Sequence, residues 1–231
     1  VTVDTTHGGL AVGDGVVFTN SLTFTSGTLA GLGTFAPANL STVTFGTNQQ
    51  VLPGLPDVLG IPTGKLTFNT NVTFANGGSY KWSLQDVSRD DGLSLLAISG
   101  NLTISANAGG FTLKLATFDA SGASGSAAIF DPNLSYSWAI AATTGGTIQQ
   151  FDVAKFTIDA SAFQAGIYSS DRFSLALSSA DHNLLLNFAA IPEPSTYAAL
   201  FGLTALGFAA YRRRKSQGDK VVSTSEPGSC N

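Results

Sequence analysis

Few groups in this chain could do chemistry. The densest set is Asp86, Arg89, Asp90 and Asp91 in LQDVSRDDG. Two carboxylates across a cleft could run glycosidic acid–base chemistry, and several oxygen ligands could hold calcium. The spacing matches neither an EF-hand loop nor the Gly-Gly-x-Gly-x-Asp repeat. A solvated turn capped by its own aspartates is the favoured reading. The two histidines are His7 in DTTHGG and His182 in SSADHNLLL, both in turn-like sequence. No Gly-x-Ser-x-Gly elbow would present a serine to either of them. The single cysteine, Cys230, excludes an internal disulfide and a cysteine-based zinc cluster. No glycine-rich phosphate loop stands between a strand and a helix. The sequence is therefore read as non-enzymatic, with no metal and no cofactor.

Two aromatic pairs are the best candidates for binding. Tyr80 and Trp82 lie two residues apart, as do Tyr136 and Trp138, so on a strand each pair shares a face. Exposed, they would make stacking platforms for a sugar. Buried, they would fill a core, which is the commoner fate of such rings. Extracellular polysaccharide is the ligand class that follows from the first alternative.

Composition narrows the setting. The chain has 231 residues, of which 43% are hydrophobic and only 11% charged, with 26 glycines. That is a palette of exported, strand-rich proteins, and charge-driven disorder is not expected. Up to Ile191 twelve aspartates face six basic residues, whereas five bases face three acids beyond it. An acidic body without a basic stripe argues against nucleic acid as a partner. The chain opens VTVDTT and contains no methionine. A mature form or the C-terminal piece of a longer precursor is expected.

The body must position these groups with strands. KLTFNTNVTFANG alternates Leu66 and Phe68, then Val72 and Phe74. NLTIS, FTLKLATF, KFTID, RFSLALSS and NLLLNF alternate in the same way, each run bounded by Gly, Asn, Asp or Ser. A sandwich fits this pattern, and so does a solenoid of stacked coils. The recurring short runs with Gly/Asn corners before residue 80 favour the solenoid, where polar turn residues can stack in ladders.

The end of the chain has a different grammar. Pro192-Glu193-Pro194-Ser195-Thr196 is followed by an uncharged stretch, Ser195 to Tyr211, of seventeen residues. As a helix it would be about 26 Å long at ~1.5 Å per residue, close to the shortest membrane span. Tyr197 and Tyr211 bracket it like interfacial aromatics. Arg212, Arg213, Arg214 and Lys215 then place that end in the cytoplasm and the body outside the inner membrane.

These three parts, motif, apolar helix and basic cluster, resemble the PEP-CTERM sorting signal. The resemblance implies recognition of Pro192-Glu193-Pro194 by an exosortase-type membrane transpeptidase, which would cut near it. The motif is then a substrate. The chain would be held in the inner membrane as a precursor, then reach the cell surface or the extracellular space. The body, through LAGLGTFAP, IPTGKLTFNTNVTFANGGSYKWSLQD and DGLSLLAISGNLTIS, is similar to the C-terminal end of autotransporter-associated β-strand repeat proteins. That likeness implies an all-β fold, a right-handed parallel β-helix end closed by a strand-rich cap, plus the one C-terminal transmembrane helix. The expected layout is solenoid coils over 1–80, cap over 81–190, sorting signal over 191–215 and a disordered tail over 216–231.

Overall fold

The alternating runs form strands whose inward residues are apolar and whose corners are Gly, Asn and Asp. The computed structural model describes residues 1–4, 6, 8–55, 60–190 and 201–212. The chain divides into two units, Val1–Ala190 and Ile191–Asn231. The first is strand-rich, and its sheets are mostly parallel.

From β1 to β17 successive strands fall into different sheets and pair with the strand three places on, except that β4 does not go on to β7. One ladder runs β2 (Gly9–Val12), β5 (Gly27–Gly31), β8 (Gln49–Pro53), β11 (Ser79–Leu84), β14 (Phe111–Thr117), β17 (Phe156–Ala162). A second runs β3 (Val17–Phe18), β6 (Thr34–Phe35), β9 (Gly64–Phe68), β12 (Ser94–Ile98), β15 (Tyr136–Thr143). A third runs β7 (Thr42–Phe45), β10 (Asn71–Phe74), β13 (Leu102–Ile104), β16 (Ile148–Gln149), and β1 (Thr2–Val3) pairs separately with β4 (Thr23–Phe24). All of these pairings are parallel. Between described strands the direction changes where β19 (Asn183–Phe188) joins β15 antiparallel and β18 (Phe173–Leu177) joins β19.

Register stacks like residues on like. Val43, Val72, Leu102 and Ile148 occupy one inward column, and Phe45, Phe74 and Ile104 the next. Phe35 stacks on Phe68 at 5.2 Å and Phe74 on Phe111 at 4.2 Å, with Phe45 edge-on to Phe68. Such offset and edge contacts add to the burial of the rings themselves.

The corners stack too. The Asn71 carboxamide oxygen accepts the Asn101 N–H at 2.9 Å, and the Asn101 oxygen accepts the Thr147 N–H at 2.9 Å. The Asn71 amide donates to the Ser41 carbonyl. Each asparagine thus pairs with the backbone of an adjacent coil. The residue before each donor is Gly100 or Gly146. A Cβ there would overlap the very carboxamide oxygen that the ladder needs. Asn71 is the first residue of β10.

The strand order bears on one expectation, and the described residues cover part of another. At residue 80, where the coils were expected to give way to the cap, β11 runs across, and all three parallel ladders continue past it. Tyr80 and Trp82 fill a rung of the core without ending the coils, and the change in architecture comes at the antiparallel β15–β19 pairing. The second concerns the span over 195–211. Residues 195–200 lie outside the described residues. What is described is a helix, α1 (201–212), of twelve residues, about 18 Å at ~1.5 Å per residue. Among the described residues no helix is long and apolar enough to cross a membrane. The tail over 216–231 also lies outside the described residues.

Candidate functional site

The aspartate turn between β11 and β12 is bound up with itself. Arg89 makes a two-pronged contact to the Asp91 carboxylate, at 2.8 and 2.7 Å. Asp86 accepts the Ser88 N–H at 2.8 Å and its hydroxyl at 2.7 Å. These bonds hold both carboxyls below the usual carboxylate range: Ser88 acts on Asp86, and the Arg89 guanidinium on Asp91. A general acid needs the opposite, a carboxyl raised toward neutral pH. A groove of about 570 Å³ lies beside the turn, with Asp14, Lys65 and Gln85 in its wall. Asp86 and Asp91 also line it, and their lowered carboxyls favour the ionised form over the proton donor such chemistry needs. Among the described residues no three His, Cys, Asp or Glu side chains group to hold a metal.

His182 is exposed, and its Nδ1 lies 2.9 Å from the Gly146 carbonyl, to which it must donate. The Thr143 hydroxyl donates to the same carbonyl at 2.9 Å. The histidine therefore braces the corner that carries the asparagine ladder. His7 lies outside the described residues.

The aromatic pairs are largely interior. Tyr80 and Trp82 are fully buried and Trp138 is 6% exposed, so these rings offer no open face to a sugar. This corrects the stacking-platform expectation, for a physical reason. Alternation shows which residues share a face, and here that face is the inside of the coil. Burial is complete because each polar tip finds a carbonyl: the Tyr80 hydroxyl donates to Ile140 at 2.6 Å and the Trp82 indole N–H to Ser94 at 2.8 Å. Burial also pushes the Tyr80 phenol well above its ordinary value. Trp82 lies 5.3 Å from Trp138, which stacks on half-buried Tyr136 at 5.1 Å. The Tyr136 hydroxyl accepts the Asp131 N–H, tying the loop before β15 to the ring.

In the second unit, α1 carries Tyr211 and Arg212, both exposed, with the Arg212 guanidinium 5.9 Å from the Phe208 ring centre. Thr204 donates back to the Phe201 carbonyl at 2.9 Å, so its hydroxyl is bonded to the helix's own backbone. Pro192, Glu193, Pro194, Ser195, Thr196, Tyr197, Arg213, Arg214 and Lys215 lie outside the described residues.

Residues 190–215 match the PEP-CTERM protein-sorting motif. That motif marks an exported surface protein, membrane-anchored as a precursor and processed by exosortase, itself a membrane protein. No curated protein and no solved structure matches the chain. The likeness of the body to autotransporter-associated β-strand repeat proteins gains no support, and its architecture rests on its own strand order.

Proposed function

We propose that this chain is a non-catalytic surface or extracellular-matrix protein. Its body is a right-handed parallel β-solenoid closed by an antiparallel cap, and cleavage near Pro192-Glu193-Pro194 frees that body from its anchor. The carrying observation is the sorting motif over 190–215. The solenoid reading is supported by the every-third-strand parallel pairing, and its hand by the near-universal right-handedness of parallel crossover connections. A scaffolding role is supported by the polar clusters of the body, which are spent on bracing turns. The motif suits its part: prolines flanking a glutamate cannot join a helix interior or a central strand, so the backbone there stays open to an enzyme in the same bilayer. The apolar stretch over 195–211 would anchor the precursor, with Tyr197 and Tyr211 at its ends and Arg212, Arg213, Arg214 and Lys215 on the cytoplasmic side.

Mass spectrometry of the C-terminus of native protein, from membrane and extracellular fractions of the producing cells, tests this. The expected outcome is a terminus near Pro192 in the extracellular fraction, without the basic cluster. An intact chain through Asn231 found only in membranes would mean a permanent anchor and would remove the cleavage step.

A further inference from the structure

The outer face of the ladder from β2 to β17 carries two columns that the core does not use. Thr28, Gln50, Ser79, Thr112 and Thr157 stand in register across five consecutive strands. Two residues further along, Lys81, Lys114 and Asp159 form a second column on the same face. The columns are about 6.7 Å apart along the strands, and neighbouring strands are about 4.8 Å apart. The first column therefore extends about 19 Å. Two depressions lie on this face, of about 380 Å³ and about 250 Å³, and both are lined by Gln50 and Lys114.

The lysines need an explanation. The body has only six basic residues, and two of them face outward on adjacent rungs. Like charges directly opposite one another in a sheet are destabilising. Neither ammonium makes a hydrogen bond or ion pair among the described residues. Lys81 lies 5.9 Å from the Phe118 ring centre, and Asp159 beside Lys114 is bound to the Ser161 N–H at 3.0 Å. The column next to them is uncharged. Thr28 and Thr112 have no side-chain hydrogen-bond partner among the described residues, while the Gln50 amide donates to Ser79 and Thr157 donates to the Gly109 carbonyl.

We propose that this face binds a linear acidic polysaccharide, with one uronate carboxylate held between Lys81 and Lys114 and neutral sugar hydroxyls lying along the column from Thr28 to Thr157. A single anion between two cations relieves the repulsion built into the rung pair. The Thr28 and Thr112 hydroxyls, without side-chain partners among the described residues, suit hydroxyl-rich units on either side. A nucleic acid fits poorly. It presents a phosphate every few ångströms and needs a run of cations, whereas here the pair ends at Asp159. The proposal relies on the surface-protein reading only for where the polysaccharide is met. Binding is measured on purified chain and sorting in cells, so either can fail without the other.

The test is affinity electrophoresis of the purified full chain in gels containing polygalacturonate, dextran or duplex DNA. Polygalacturonate is expected to retard the chain and dextran much less. The retardation should vanish in about 1 M salt, where the Debye length falls to about 3 Å. Lys81→Gln with Lys114→Gln should weaken binding roughly tenfold, the size of one lost charge contact or more. Lys81→Arg with Lys114→Arg should keep it. Asp159→Asn, which removes the competing carboxylate, should tighten it. Unchanged retardation in the double glutamine variant, equal retardation by dextran, or DNA binding with the same lysine dependence would each overturn the proposal. So would weaker binding in Asp159→Asn.

Discussion

Asn71 and Gly100 form one device, though they are 29 positions apart. The carboxamide oxygen of Asn71 takes the N–H of Asn101, and Gly100 leaves the space in which that oxygen sits. Removing the side chain strands the half-buried Asn101 N–H, at a cost toward the low end of the about 1–3 kcal/mol of a buried donor. Adding a methyl at residue 100 drives the same oxygen away. Asn71→Ala and Gly100→Ala should each lower the urea midpoint, and their effects should not add. Once the carboxamide is gone, the methyl's closest clash is gone and the Asn71 backbone nitrogen at 3.1 Å is the tight contact left, so Gly100→Ala should cost less in the Asn71→Ala background. A double-mutant cycle reads that coupling directly. Simple additivity would show that glycine serves only the local backbone at that corner.

At the scale of the strand and the turn, aspartates tie off the connections. The Ser121 hydroxyl and N–H act on Asp119, Ser161 acts on Asp159, and Ser169 on Asp171, each holding its carboxyl below the usual range. Asp86 and Asp91 behave likewise. A carboxyl lowered in the folded state contributes stability that is present above its unfolded value and lost as pH falls through its folded one. The melting temperature should therefore hold from neutrality down to about pH 4, near the unfolded carboxyl value, and decline below it. A melting temperature that rises on acidification would contradict these turns. Much of this level was legible in the sequence. Leu66, Phe68, Val72, Phe74, Leu102 and Ile104 all point inward, as period two requires, because a strand cannot alternate faces in any other way. Two things were not legible. Alternation cannot say that both tryptophans fall on the closed side, since that depends on which sheet receives each strand. Nor can it fix where parallel pairing gives way to antiparallel, because NLLLNF has the same alternation in either direction.

Over the whole strand unit the rungs are unequal. β1, β3, β4 and β6 have two residues each, and β4 pairs with β1 without hydrogen-bonding on to β7. Between β4 and β7 side chains stand in for the ladder. The Gln49 amide donates to the Phe24 carbonyl at 2.8 Å, and Asn39 clasps both the N–H and the carbonyl of Leu22. Further along, β9 to β14 are longer for the most part, pair on both sides and enclose the fully buried Phe68, Phe74, Tyr80, Trp82 and Phe111. In a stack where each coil contacts only its neighbours, stability is a sum of coil and interface contributions. Opening should therefore begin at the first coils and reach the middle last, with the antiparallel β15–β19–β18 pairing protecting the other end. Hydrogen exchange followed by mass spectrometry should show peptides from the first 35 residues exchanging well before those spanning 64–117. Uniform protection along 1–190 would mean that the side-chain bridges of Gln49 and Asn39 hold the first coils as firmly as a continuous backbone ladder. The break between β4 and β7 would then carry no energetic weight.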